Sequence, residues 1–171
     1  DPTVQPKAIF VSTFNPAPNA ADADFCHADE LSSIQIAITA LAKIAKVHVS
    51  VLARKDYVSP FARLENCEIS SFEGRHPAGN VGVQISHICP IRKGETVWTI
   101  SLAGLAAFGR LLLKGRLDLS RKIAISGPGA IQPNYIVSVP GMPMAGIKGH
   151  IGTRTDSVRV ISGDILTGRA A

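Results

Sequence analysis

Short apolar runs alternate with longer amphipathic segments up to about residue 115, and this alternation most constrains the fold. The short runs are rich in Val, Ile and Phe, as buried strands are. The longer segments repeat apolar residues every three or four positions, the period of a helix that packs on one face. The predicted helices are 29–45 and 101–115, and the predicted strands are 7–14, 46–53, 66–73 and 95–100. This order predicts an α/β fold with a parallel sheet.

Residues at the ends of both predicted helices fit known capping preferences. Asp29 is the candidate N-cap of the first helix, because its carboxylate can accept an amide hydrogen bond there. Ser101 is the candidate N-cap of the second, and Gly115 is a natural C-terminal stop. In the second strand His48 alternates with valines, so we expect it on the strand surface rather than as a ligand.

The sequence pattern changes near Gly115. Beyond it the chain has no long helical period, and short apolar runs are separated by turns rich in proline and glycine. The predicted strands here are 121–127, 134–141 and 158–168. We therefore predict two domains, an α/β domain at 1–117 and a small β-rich domain at 118–171.

The composition excludes several classes of protein. The formal net charge is +5 and 46% of the residues are hydrophobic, which suits a globular chain with a buried core. The Lys and Arg residues are scattered without interleaved aromatics, so no nucleic-acid partner is predicted. No apolar run approaches the roughly 20 residues that span a bilayer, and no signal peptide is visible. Because the sequence begins at Asp1, we expect a piece of a longer protein.

The three cysteines are odd in number and far apart. We expect Cys26, Cys67 and Cys89 to be free and mostly buried thiols in a reducing compartment. Cys67 and Cys89 could meet His76 and His87 around a metal ion, but their spacing matches no zinc motif. No metal site is therefore predicted.

The first predicted strand–helix turn has the wrong chemistry for a dinucleotide. In an open α/β sheet the pyrophosphate lies on a glycine-rich loop at this turn. Here the turn has no glycine, and Pro16 and Pro18 have no amide hydrogens to donate. Asp22 and Asp24 would repel a phosphate. These residues argue against NAD or FAD.

A glycine run after the third strand, "EGRHPAGNVG", is the strongest candidate for a binding turn. Gly74 and Gly79 have the glycine spacing of a P-loop, but Asn80 occupies the place of its lysine and Val81 that of its Ser or Thr. One interpretation is that the glycines allow a tight strand-to-helix turn with close packing. A second is an anion or small-ligand pocket that uses Arg75, His76 and the amides at a helix start. A third is a contact with a partner.

The candidate ligand or partner turn contains Gly74, Arg75, His76, Pro77, Gly79, Asn80 and Gly82. No catalytic residue is predicted, because nucleophile elbows, metalloprotease motifs and paired acids are missing. From the residues alone, the chain is a two-part α/β and β scaffold.

Several segments together resemble the A subunit of the bacterial Na+-translocating NADH:quinone oxidoreductase. The segments that carry the resemblance are "PKAIFVSTFNPAPNAADADF", "FEGRHPAGNVGVQISHICPI", "ETVWTISLAGLAAFGRLLLKGRL", "IAISGPGAIQP" and "RVISGDILTG". They cover most of the chain. "HPAG" followed about twenty residues later by "TVWTI" is the most specific pair.

The resemblance implies a respiratory sodium pump that passes electrons from NADH through flavins and iron–sulfur centres to quinone. It implies a peripheral subunit on the cytoplasmic face of the bacterial inner membrane. Residues 1–117 would form a Rossmann-like domain and 118–171 an incomplete β-grasp domain of the soluble-ligand-binding (SLBB-like) kind. This fragment is expected to bind no cofactor itself. Its partners would be the other subunits, chiefly the membrane subunits, with quinone as a further candidate.

Two hypotheses of different classes follow. The first is a non-catalytic docking scaffold within the sodium pump. The alternative is a soluble small-ligand-binding module that uses the turn at 74–82 or the β-grasp loops. A free-standing nucleotide-dependent enzyme is disfavoured by the first strand–helix turn.

Overall fold

The computed structural model describes residues 3–143 and 159–171. A short 3-10 helix covers Pro60–Arg63. The other elements, in chain order, are β1 Ala8–Ser12, α1 Ala23–His27, α2 Leu31–Leu41, β2 Lys46–Leu52, β3 Glu68–Phe72, α3 Val81–Ile88, β4 Trp98–Thr99, α4 Leu102–Lys114, β5 Arg121–Ile125, β6 Asn134–Ser138, β7 Ile161–Ser162 and β8 Arg169–Ala170.

The first four strands form one sheet in the order β3-β2-β1-β4. Every neighbouring pair is parallel, which confirms the predicted α/β fold. The strands are shorter than predicted, and β4 keeps only two residues of the run at 95–100. Among the described residues, no helix has the length and apolar character needed to cross a membrane.

One face of the sheet packs against α2 and α4. Ile9 and Val11 of β1 point to this face and are almost fully buried there, with Phe61 of the 3-10 helix in the same cluster. The two helices cross at Gly109, where an added Cβ would lie only 1.9 Å from the carbonyl oxygen of Ser33. Only glycine permits this approach of helix to helix.

The other face packs against α3 through Ala8, Phe10 and Ile85. His48 lies on this face, and the expectation of a surface position was wrong. The residue is 5% exposed, and its ring stacks on that of Phe10, with ring centroids 4.8 Å apart. The alternation correctly placed His48 opposite the valines, but the ring of Phe10 covers that position. Burial lowers the pKa of His48.

The predicted N-cap of the first long helix was also wrong. Glu30 occupies the N-cap position of α2 and makes no side-chain capping bond. Asp29 instead accepts a hydrogen bond from Lys122 at 2.6 Å, which lowers the pKa of its carboxyl group. Ser101 caps α4 as predicted, and Gly115 ends it with a φ of +67°.

The rest of the chain forms two antiparallel hairpins, β5–β6 and β7–β8. The strands predicted at 121–127 and 134–141 are confirmed in shortened form. The single strand predicted at 158–168 was wrong: β7 and β8 flank a turn in which Asp164 accepts the amide hydrogens of Leu166 and Thr167, both at 2.8 Å. Val158 lies outside the described residues.

Arg110 joins the α/β part of the chain, which ends with α4, to the hairpin part, which begins with β5. Its guanidinium is nearly buried and forms an ion pair with Glu30 at the start of α2. It also donates to the carbonyl oxygens of Asp118 at 2.9 Å and Ser120 at 2.6 Å. His27 lies 2.5 Å from the other carboxylate oxygen of Glu30. These bonds hold the linker, residues 115–120 between α4 and β5, to the layer formed by α2 and α4.

Candidate functional site

The predicted ligand or partner turn connects β3 to α3 at the carboxyl edge of the sheet. Gly74 has a φ of +133°, a conformation that favours glycine. The side chain of Arg75 is exposed, and that of His76 is half-buried. The peptide bond between His76 and Pro77 is cis. The polar side chains of the turn thus lie at or near the surface.

Three amides of the turn are engaged within it. The amide of Ala78 donates to the carbonyl of Arg75 at 2.9 Å, and that of Asn80 donates to Pro77 at 2.8 Å. The side chain of Asn80 accepts from the amide of Gly82 at 2.8 Å and thereby caps α3. An anion would have to displace these bonds to reach the same donors.

Gly79 brings the turn against the loop that follows β1. A Cβ on Gly79 would lie 2.4 Å from Cδ of Pro16 and 2.8 Å from the carbonyl oxygen of Phe14. The hydroxyl of Ser12 donates to the carbonyl of Gly79 at 3.0 Å. This is the close packing that the first interpretation of the glycine run predicted.

Gln84 is part of this contact, and sequence analysis missed it. Its side chain is fully buried, and Nε2 donates to the hydroxyl of Ser12 at 2.9 Å and to the carbonyl of Ala78 at 3.0 Å. Its Oε1 atom has no donor among the described residues. The only sequence signal was a polar residue inside a short apolar helix.

The loop between β1 and α1 uses its carboxylates for local structure. Asp22 caps α1 and accepts from the amides of Asp24 at 2.9 Å and Phe25 at 3.2 Å. The hydroxyl of Tyr57 donates to the carboxylate of Asp24. Burial raises the pKa of Asp24, and the neighbouring charge of Asp22 raises it further. Sequence analysis treated this segment as loop and missed the short helix α1.

The β7–β8 turn contacts the start of the same loop. The side-chain amide of Asn15 donates to the carboxylate of Asp164 at 2.9 Å. This hydrogen bond, with those from Thr167 and Leu166, holds the pKa of Asp164 well below its usual range. The side chain of Asn15, at the start of the loop, is therefore paired with the chain itself.

The β5–β6 hairpin contacts the middle and end of the loop. The hydroxyl of Ser126 donates to the carbonyl of Asn19 at 3.1 Å, and the hydroxyl of Tyr135 accepts from the amide of Asp22 at 3.0 Å. The ring of Tyr135 also lies 4.4 Å from that of Phe25. Both hairpins thus cover the loop where a pyrophosphate would lie in a dinucleotide-binding fold.

The described residues line a cleft and a groove in this part of the chain. A cleft of about 280 Å³ lies between the β1–α1 loop and residues 52–59, with Arg54 and Tyr57 in its lining. It is smaller than the roughly 300–1,000 Å³ of typical ligand pockets. An open, mainly apolar groove of about 710 Å³ lies between α2 and residues 58–64. Neither the cleft nor the loop beside it fits a dinucleotide.

The structure does not bring the four possible metal ligands together. Within residues 3–143 and 159–171, no group of three or more His, Cys, Asp or Glu side chains could hold a metal ion. Cys67, His76, His87 and Cys89 therefore form no common site. All three cysteines are free, as predicted, although only Cys26 is fully buried. Burial raises the pKa of Cys26 and of Cys67, which disfavours their reactive thiolates.

The described elements define an α/β fold with a parallel four-stranded sheet, consistent with a Rossmann-like domain, and the loop after β1 is packed against the two hairpins. The family described as "NqrA second alpha/beta domain" matches residues 1–117. The chain belongs to this family, which confirms the resemblance noted in the sequence.

Similar curated proteins are named as the A subunit of a "Na(+)-translocating NADH-quinone reductase". The protein of Shewanella frigidimarina is 35% identical over 163 residues, which cover 95% of this chain and 36% of the relative. That of Neisseria meningitidis is 34% identical over 166 residues, with 96% and 36% covered. That of Rhodopirellula baltica is 33% identical over 173 residues, with 99% and 38% covered. The chain thus spans little more than a third of these relatives.

Proposed function

We propose that the chain is a cofactor-free framework within the A subunit of a Na+-translocating NADH–quinone reductase. In this role it serves a respiratory pump that couples NADH oxidation and quinone reduction to sodium export. The chain itself performs no redox step. Its relatives carry the name of this subunit, which supports the assignment.

The observation that carries the proposal is the covered β1–α1 loop. A dinucleotide needs amide donors and positive potential at this position. Here Asn15, Asn19 and Asp22 are bonded to the hairpins, and Asp22 also caps α1. The flavins, iron–sulfur centres, NADH and quinone of such a complex would therefore be held by other parts of it.

The further features of the proposal concern organisation and partners. We assign residues 1–117 to the Rossmann-like domain and 118–171 to a second, incomplete domain of the β-grasp, SLBB-like kind. The two antiparallel hairpins are compatible with a β-grasp domain but form only a part of one. The partners are the other subunits, chiefly the membrane subunits, with quinone as a further candidate, at the cytoplasmic face of the inner membrane.

The alternative function, a soluble small-ligand module, gains no support from the described contacts. Three amides of the turn at 74–82 already donate hydrogen bonds within the turn, and the side chain of Asn80 caps α3. The turn stays a prediction as a ligand or partner site. Calorimetry with phosphate and a quinone analogue, on the chain and on His76→Ala, would test it.

The proposed function is tested by two measurements. Titration of the purified chain with FMN, FAD and NADH should give no saturable binding, and the chain should carry no stoichiometric flavin absorbance. The full-length subunit that contains this chain should co-purify with the membrane subunits of the reductase. Stoichiometric flavin or nicotinamide on the chain would overturn the cofactor-free assignment, and failure to co-purify would overturn the assignment to the complex.

A further inference from the structure

The groove between α2 and residues 58–64 is one continuous, mainly apolar surface. Side chains of both segments bound a single depression of about 710 Å³, so the two walls face the same space. Single exposed apolar residues are common on proteins, but a contiguous group marks an interaction site. We call this depression the α2 groove, and its apolar lining residues are Leu31, Ile36, Val58, Pro60 and Leu64.

One wall of the α2 groove is a side of α2 that does not belong to the core. The buried stripe of the helix includes Ile34 and Ile38. Ile36 lies two positions from each of them, which places it on nearly the opposite side of a helix with about 3.6 residues per turn. Ile36 is 36% exposed and lines the groove. The helix thus presents an aliphatic side chain away from its own core.

The other wall presents Val58. This residue is 72% exposed, the highest value of any large apolar residue among those described. The next residue, Ser59, is buried and caps the 3-10 helix by accepting from the amide of Phe61 at 3.3 Å. Phe61 is fully buried in the core. Because its neighbours in the chain are anchored, Val58 is held at the surface.

Two polar side chains fix the separation of the walls. Nε2 of Gln35 donates to the carbonyl oxygen of Glu65 at 3.0 Å, and its Oε1 accepts from the amide of Glu65 at 2.8 Å. The side-chain amide of Asn66 donates to the hydroxyl of Thr39 on α2 at 3.1 Å. A preformed site loses little conformational freedom when it is occupied, which favours binding. The groove is therefore held open by its own structure.

Arg63 is the charged residue of the lining, and its side chain is exposed. Within residues 3–143 and 159–171, its guanidinium forms no ion pair. A guanidinium can donate two parallel hydrogen bonds to one carboxylate. The α2 groove is therefore complementary to an apolar segment that also carries an Asp or Glu side chain.

We propose that an apolar, carboxylate-bearing segment from the rest of the full-length A subunit lies in the α2 groove. The chain spans only 36% to 38% of its relatives, so each relative has a large remainder on the same polypeptide. A tethered segment is present at a high effective concentration, which favours it over a free partner. Amphipathic helices bind such grooves through aliphatic residues three or four positions apart.

A small molecule is a poorer occupant of this groove. Ligand pockets enclose most of the surface of the ligand, whereas the α2 groove is open along its length. The inference rests on the family to which the chain belongs and not on the proposed role in the sodium pump. Its test uses the full-length subunit alone, so a failure to co-purify with membrane subunits would leave the test unaffected.

The first measurement is photo-crosslinking within the full-length subunit. Benzoylphenylalanine replaces Val58 in one sample and, as matched control, Ile131 in another. Ile131 is 55% exposed and lies outside the groove. We expect position 58 to crosslink to one segment outside the 171 residues, at least about tenfold more than position 131 does. Mass spectrometry should identify aliphatic residues and an Asp or Glu in that segment.

The second measurement is hydrogen exchange of the crosslinked segment in subunits without the crosslinker. Val58→Asp places a charge in the apolar contact, and Arg63→Glu reverses the cation. Each should speed exchange in that segment about tenfold. Lys55→Glu and Ile131→Asp are the matched controls outside the groove and should leave exchange unchanged. Replacing the acid of the segment by Lys should restore slow exchange in the Arg63→Glu subunit. Circular dichroism checks the fold of each variant.

Three results would overturn the proposal. The first is equal crosslinking from positions 58 and 131. The second is crosslinking from position 58 only to residues within the 171 or to a second copy of the subunit, which would appear as a covalent dimer. The third is unchanged exchange in a folded Arg63→Glu subunit. If position 58 crosslinks to a different subunit in the purified reductase, the groove is assigned to that subunit instead.

Discussion

The α/β part and the hairpin part of the molecule are stabilised in different ways. The parallel sheet is covered on both faces, and Phe10 and Val49 are almost completely buried. In the hairpin part, Ile125 and Ser138 are the buried residues among those described. Two-stranded hairpins are marginal on their own. The comparison indicates that the first part has its own core, while the second depends on contacts with the first.

Arg110→Met should have the largest effect, because it acts on both parts. The substitution leaves Glu30 without its cation and frees the carbonyls of Asp118 and Ser120. We expect the free energy of unfolding to fall by about 3 kcal/mol, the lower range for breaking a buried ion pair. Urea denaturation measures this change, with the exposed Arg63→Met as control. Hydrogen exchange should become faster in the hairpins than in the sheet, and the reverse order would contradict the comparison.

Gly79→Ala should have the next largest effect, and it acts within the α/β part. The new methyl group would lie too close to Pro16 and to the carbonyl of Phe14. We expect a loss of about 2 kcal/mol in the free energy of unfolding, typical of overpacking. Gly82→Ala is the matched control, since its Cβ would meet only the side chain of Asn80 at 3.2 Å. Equal stability of the two variants would show that the turn does not pack tightly.

Tyr135→Phe should have a smaller effect, confined to the hairpin part. It removes the hydroxyl that accepts from the amide of Asp22 and keeps the ring beside Phe25. We expect a loss of about 1 kcal/mol in local stability, measured by hydrogen exchange of β5 and β6. Tyr57→Phe makes the same chemical change within the α/β part, where the hydroxyl donates to Asp24. If both variants speed hydrogen exchange at the same amides, the α/β part and the hairpin part do not differ in local stability.

His48→Phe should have the smallest effect, visible only as a change with pH. Burial lowers the pKa of His48 in the folded chain, whereas the unfolded histidine has a pKa of about 6.5. As the pH falls below this value, the unfolded chain takes up a proton that the folded chain does not. The stability contributed by the neutral, buried ring is therefore complete above about pH 6.5 and is lost as the pH falls.

The phenylalanine variant should keep the stacking on Phe10 and show a shallower fall in the free energy of unfolding between neutral and mildly acidic pH. Urea titrations at several pH values measure the slope. The exposed His87→Gln serves as the control substitution of a histidine. An unchanged slope in His48→Phe would mean that this histidine is protonated equally in both states.

Periodicity predicted the sheet and the long helices because these elements bury repeating apolar faces. It failed where a single contact decides the structure. The ring of Phe10 covers His48, and the ion pair with Lys122 takes Asp29 away from its helix. Such contacts join residues that are distant in the sequence and leave no local pattern. The short hairpin β7–β8 was missed because two-residue strands have no period to detect.

The candidate site was predictable only in part. The prolines and aspartates of the first turn argued against a phosphate-binding loop from local chemistry, and in the folded chain this loop is bonded to the two hairpins. The P-loop-like spacing of the glycines could not reveal that Gly79 packs on Pro16, or that Gln84 bonds to Ser12. Those roles depend on which loop lies opposite, and only the folded chain contains that information.

The contact between Gly79 and Pro16 has a consequence for redesign. An engineer who wished to restore nucleotide binding would replace the proline-containing loop with a glycine-rich one. That exchange would also remove the surface on which the start of α3 rests, and would leave the hydroxyl of Ser12 and the amide of Gln84 without their fixed geometry. A working graft would therefore have to rebuild both segments together, as a single unit.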